Sequence, residues 1–212
     1  MDQPTYDDVA GRMGELGMEV FDARPFDLTL FGIRSRRRDN ADEWDDWLGV
    51  LFHDGERDRV VVGPGTTTPG QYALEHPTRS AGVATMLADR QYRGMWELGL
   101  HGTSQGRGYP AFHQVGHTAF VRDADRDTVL DVDALARDPS LVVSGQASVV
   151  GANGHRASEF RLADVVGRYS YLCQVWREFW VFESILALAR AQVAAGWGDR
   201  FSYALLNEWR TP

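Results

Sequence analysis

The chain has a single cysteine, no lysine, and no long apolar run without a charge in it. Each of these absences removes a class of protein. One thiol, Cys173, forms no internal disulfide, and one thiol with one histidine is too small a donor set for structural zinc. The longest apolar stretch, around Phe179–Ala195, is broken by Glu183, Arg190 and Gln192, so no membrane span is expected. The first residues, Met1-Asp-Gln-Pro-Thr-Tyr-Asp-Asp8, are acidic and lack an apolar core, which predicts no signal peptide and a soluble chain. All 22 basic residues are arginine, against 30 acidic ones. A formal charge of −8 argues against nucleic acid as the main partner, because phosphate binding needs a basic surface.

Hydrophobic content of 43% and seven tryptophans are enough to build an ordered core. No repeat, linker or low-complexity tract divides the sequence, so residues 1–212 read as one domain. An amphipathic helix is expected over Tyr6–Leu16, within residues 1–18, with Thr5 as N-cap and Gly17 as stop. Strands are expected at Glu19–Phe21, Phe26–Ile33, Trp47–His53, Arg59–Val62, Met95–Leu100, His117–Arg122 and Ser140–Val150. Asp54-Gly55 marks a hairpin, and Gly63-Pro64-Gly65 with Pro69-Gly70 mark a loop. A helix over residues 176–196 follows from apolar spacing through Phe179, Phe182, Ile185, Leu186, Ala189 and Val193, with a last strand at Phe201–Leu206. The fold class is therefore α+β, mostly β: a sandwich or barrel with an N-terminal helix and a long C-terminal helix.

Cys173 follows His155 by eighteen positions, in Gly151-Ala-Asn-Gly-His155-Arg156 … Ser170-Tyr-Leu-Cys173. It is either an inert buried thiol or a nucleophile with its base a loop away. His101 at a strand end, Gln114 and Arg34 are candidate substrate-binding residues, since peptide acyl transfer needs donors for backbone and carboxylate groups. Asp123, Asp125, Asp127 and Asp131 alternate as in a calcium loop. They lack its central glycine, with Thr128 in that place, so an acidic metal-free turn is the better reading. The acidic stretch Asp39–Trp47 leaves room for a paired-carboxylate glycosidase site, and the tryptophans for a carbohydrate-binding surface.

The His155…Ser170-x-x-Cys173 layout resembles the signature of the L,D-transpeptidase (YkuD-like) catalytic domain. A longer string looks like a group of phage and prophage proteins: Gly32-Ile-Arg-Ser35, Asn40, Asp45-Asp46-Trp-Leu-Gly-Val50, Thr67-Thr-Pro-Gly70, Gln91-Tyr92, Trp96–His101, Tyr109–Gln114 and Val121-Arg-Asp123. The resemblance implies an L,D-transpeptidase-like fold, with Cys173 as nucleophile, His155 as base and Ser170 as the turn serine. It implies cysteine-dependent acyl transfer or hydrolysis on the peptidoglycan stem peptide, as transferase or hydrolase, with no cofactor. Such a chain would be made in a host cytoplasm and delivered by a virion or a lysis event. Arg156, Tyr171 and Leu172 stand where the family has glycine, histidine and glycine. They favour the alternative of a virion structural protein, a tail or baseplate part bound to other virion proteins, that keeps the fold with a degraded site.

Overall fold

A computed structural model describes residues 2–37, 41–102, 106–129 and 132–209. In chain order the elements are α1 (Tyr6–Glu15), β1 (Thr29–Arg34), β2 (Asp46–His53), β3 (Asp58–Thr66), α2 (Gln71–Glu75), β4 (Ala84–Met86), β5 (Arg90–His101), β6 (Tyr109–Gln114) and β7 (Phe120–Arg122). They continue with α3 (Val132–Leu135), a 3-10 turn (Gly145–Ser148), β8 (Gly154–Arg156), β9 (Gln174–Trp176), α4 (Phe179–Ala194) and β10 (Phe201–Asn207). Eight strands close a barrel in the order β1-β10-β5-β6-β8-β9-β3-β2, while β4 and β7 pair separately. Most neighbours are antiparallel, but β1 with β10 and β8 with β9 run parallel.

Local chemistry explains several boundaries. Thr5 and Asp8 form a reciprocal capping box at the start of α1, and Gly17, at φ 68°, ends the turn after it. Asp54 Oδ1 accepts from the N–H groups of Glu56 and Arg57, closing the β2–β3 hairpin. Two stretches expected to be strands are not. The backbone of Glu19 exchanges hydrogen bonds with the Gln91 side chain, and Phe21 N–H donates to Thr29 Oγ1, so side chains replace a ladder there. Residues 140–150 make only an isolated bridge, Val143 to Phe120, before the 3-10 turn. At the end of this segment, Gln114 Oε1 accepts from the N–H groups of Val150, Gly151 and Ala152.

Conversely, Gly63-Pro64-Gly65 does not form a loop but continues β3 along β2 and onto β9. A Cβ on Gly65 would lie 2.5 Å from the Val175 carbonyl oxygen, so glycine is what lets β9 approach.

The barrel interior is aromatic. Trp96 packs against Phe112 and Tyr203, and Trp176 against Phe112, with Phe182 of α4 set edge-on to Phe112. The interior polar groups are paired: Trp96 Nε1 donates to Ala152 O at 2.7 Å, Trp176 Nε1 to Leu48 O at 3.0 Å, and Tyr203 Oη to Gln174 Oε1 at 2.7 Å. Outside, Val9 and Met13 of α1 cover Phe31, Ile33, Leu51, Val62, Ala204 and Leu206. Among the described residues no helix is long and apolar enough to cross a membrane.

Candidate functional site

The parallel pair β8–β9 aligns Gly154 with Gln174 and His155 with Val175. Successive residues alternate faces. Gly154 faces Phe112, Trp96 and Trp176, and Gln174 reaches Tyr203, so these two point into the barrel. His155 and Val175 therefore point outward, as does Cys173, which packs beside Val175, Ala157 and Ala163. Eighteen positions of sequence separation thus become one outer face of two adjacent strands.

The His155 ring is almost fully buried, at 3% exposure. Its Nδ1 lies 2.8 Å from the carbonyl oxygen of Arg156 and 3.1 Å from Tyr109 Oη. A carbonyl can only accept, so Nδ1 carries the proton and Nε2 is left as a bare acceptor. Nε2 has no hydrogen-bond partner. His101 stacks flat on His155, with centroids 3.9 Å apart, and Asn153 Nδ2 lies 3.4 Å from His101 Nδ1. Burial, then the neighbouring His101, pushes the His155 pKa down to about 3, and burial lowers that of His101 as well. Both rings are neutral at pH 7.

Cys173 is half-buried. Its Sγ donates to Gly151 O at 3.5 Å and makes no bond to the imidazole. Burial pushes the thiol up to about 11, although backbone N–H groups of Asn153 and Leu172 pull in the other direction. Ser170 is buried and donates to the Cys173 carbonyl at 2.9 Å, so it fixes the turn before β9. The resting pair is a neutral thiol beside a neutral imidazole, not a thiolate–imidazolium pair. Alkylation of Cys173 is accordingly expected to be slow at pH 7 and to rise about tenfold per pH unit up to about 11. Iodoacetamide rates across pH measure this, and a plateau near pH 7 would show a preformed thiolate.

The remaining residues singled out by sequence divide. His101 joins the cluster. Gln114 does not face a ligand: Oε1 accepts the three N–H groups named above, and Nε2 donates to Gly116 O and Ser148 O. Arg34, 1% exposed, spends Nε, Nη1 and Nη2 on Thr67 Oγ1, Met86 O and Thr67 O. Both were read as candidate pocket residues; Gln114 instead holds backbone at Gly116, Ser148 and Val150–Ala152, and Arg34 ties Thr67 to Met86 of β4. Asp46, in the acidic stretch, accepts from Ser35 N–H and from Thr67 N–H and Oγ1, so it too is internal.

Asp123, Asp125 and Asp127 place carboxylate oxygens within 4.8 Å of one another, while Asp131, Asp39 and Asn40 lie outside the described residues. Asp123 accepts from Arg126 N–H and Asp127 from Val129 N–H, the bonding of an acidic turn. Tyr109 was not anticipated. It is brought from β6 onto the His155 ring, and Arg156 lies 4.2 Å over its own ring while pairing with Glu159 at 2.6 Å. No local motif marks it.

Comparison of the chain with family models, with curated proteins and with solved structures gives no match in any of the three.

Proposed function

We propose that this chain is a cysteine-dependent enzyme of the L,D-transpeptidase type acting on peptidoglycan stem peptides, phage-encoded and delivered by a virion or by lysis. The observation that carries the reading is His155: a buried neutral imidazole, tied at Nδ1, with its Nε2 lone pair unpartnered on the face that holds the only thiol. With the thiol neutral at rest, proton transfer accompanies attack. Nε2 takes the Sγ proton as the sulfur–carbon bond forms, and the carbonyl π electrons move to oxygen. In this reading backbone N–H groups in the turn Ser170–Cys173 hold that oxyanion. Collapse breaks the carbon–nitrogen bond, and the imidazolium returns the proton to the leaving amine. Water then releases the thioester as an acid, or an amine releases it as a new amide.

The second reading, a virion tail or baseplate protein, is favoured by Leu172. The residue next to the thiol is 7% exposed and packs in the main core, as a structural residue does. Muropeptide analysis of purified sacculi treated with the protein separates the two readings. Shortened or exchanged stem peptides that vanish with Cys173→Ala support the enzyme. Identical profiles for both proteins and for buffer support the virion part.

A further inference from the structure

His101 ends β5 and is paired across the β5–β6 hairpin with Tyr109. It stands five positions after Trp96, whose ring is inside the barrel, so alternation puts it on the outer face that carries His155. Its ring lies on that of His155 at an interplanar angle of 15° and a centroid separation of 3.9 Å. Rings stacked in this way do not hydrogen-bond to each other, because their N–H groups and lone pairs lie in the ring planes. His101 therefore acts on His155 through its face: it keeps water off one side of the imidazole and blocks rotation about χ2. Tyr109 stands edge-on to both rings, at 5.6 Å from His101 and 6.3 Å from His155. With Nδ1 tied to the Arg156 carbonyl, the His155 ring is held on its edge and on its face.

The proton of His101 is fixed as well. Asn153 Oδ1 accepts from Gln114 N–H at 2.8 Å, which turns Asn153 Nδ2 towards His101 Nδ1 at 3.4 Å. An amide nitrogen only donates, so Nδ1 of His101 is the acceptor and its proton sits on Nε2. The stacked rings are thus opposite tautomers. A second proton on His101 would go to Nδ1, against the Asn153 donor and over the ring that becomes cationic when Nε2 of His155 acts as base. The other titratable or charged groups acting on the two rings are Tyr109 and His113 of β6 and Arg156 of β8. Burial pushes the Tyr109 phenol up to about 12, so it stays neutral, and Arg156 stays charged. Of these groups only the histidines change charge in the acid range.

We propose that His101 is the positioning residue for His155: its neutral ring holds the imidazole in one plane and one tautomer with Nε2 free, and its protonation puts a like charge on the face of that ring and takes the base out of use. The consequence for turnover rests on the enzyme reading above; the hold on the ring does not. Half-buried His101 takes its proton before the sealed His155, so His101 sets the acid limb of the pH–rate profile. Burial, then the charge of His113, lowers the His101 pKa, which places that limb below 6.5.

The test is a heteronuclear NMR titration of the histidine rings, with the pH dependence of stem-tetrapeptide turnover, in the full chain as wild type, His101→Phe and His101→Ala. Phenylalanine keeps the stacked face and loses the proton, whereas alanine loses both. In wild type the His155 resonances should report a single Nδ1–H tautomer and shift when His101 takes its proton. His101→Phe should keep that tautomer, leave the plateau kcat and KM unchanged, and move the acid limb down by about one pH unit or more. His101→Ala should mix the tautomers, bring the His155 pKa back towards 6.5 and lower kcat by roughly 10–100-fold with KM little changed. Should alanine unfold the chain, the phenylalanine variant decides alone. His155 resonances that ignore the His101 proton, an acid limb that stays in place in His101→Phe, or an alanine variant that matches phenylalanine in tautomer and plateau kcat each overturn the proposal. If the NMR pattern holds while none of the proteins turns over the peptide, the positioning role stands and the enzyme reading falls, so the two fail separately.

Discussion

His155→Gln should lower turnover of a stem peptide by about 10²–10⁴-fold, the usual worth of a positioned general base, while leaving alkylation of Cys173 at high pH nearly unchanged. Glutamine keeps a donor for the Arg156 carbonyl, but its amide has no acceptor of comparable basicity to take the Sγ proton. The same substitution should change acid stability. The folded pKa of His155 is pushed from 6.5 to about 3, chiefly by burial. Between those values the unfolded chain binds the extra proton and the folded chain does not, so stability rises with pH across this window. The contribution is complete above about pH 6.5 and is lost as pH falls towards 3. At ~1.4 kcal/mol per unit the loss reaches several kcal/mol at the acid end. Urea unfolding at pH 7, 5 and 4 should show a steep decline in wild type and a shallower one in the glutamine variant. Parallel curves would mean that the imidazole is not held neutral.

The Leu172→Gly variant should lose about 3–5 kcal/mol of folding stability. Removal of a buried leucine side chain costs ~2–5 kcal/mol, and glycine adds roughly 0.5–1 kcal/mol of chain entropy. Leu172 belongs to the cluster that includes Trp96, Trp176 and Phe112, and its carbonyl accepts from Gln174 Nε2 at 3.2 Å. Opening the space beside the thiol therefore comes at the expense of the turn that carries it into β9. Iodoacetamide reactivity measured below the unfolding transition should not rise. A stable glycine variant with a faster thiol would show that Leu172 obstructs the site and does not support it.

The parts of the fold read from sequence are those set by neighbouring residues. The Thr5 N-cap, the Asp54-Gly55 hairpin and the apolar face of α4 are each written within a few neighbouring positions, and the structure has all three. The alternation of short strands pointed to a sandwich or barrel, and the closed barrel is one of those two outcomes. The parts that were not legible depend on partners far along the chain. β8 and β9 are three residues each, too short to show a period, and they exist because Gly65 admits β9 beside β3 and Phe112 pairs with Gly154. Gln114 and Arg34 read as pocket donors because nothing nearby in sequence shows the backbone groups they satisfy, which arrive from Val150–Ala152, Thr67 and Met86. At the candidate site, the separation of His155 from Cys173 was visible, but the ring environment was not. Tyr109, His101 and the Arg156 carbonyl come from three strands, β6, β5 and β8, and together they decide which nitrogen is free.

Intact-mass spectrometry during reaction with a stem tetrapeptide tests the nucleophilic role of Cys173 most directly. The account predicts a transient mass increase equal to the acyl portion of the peptide, mapped to Cys173 after digestion, absent in Cys173→Ala and strongly slowed in His155→Gln. A wild-type protein that acquires no adduct at neutral or alkaline pH, with a peptide shown to bind it, would contradict the account and leave Cys173 a structural thiol.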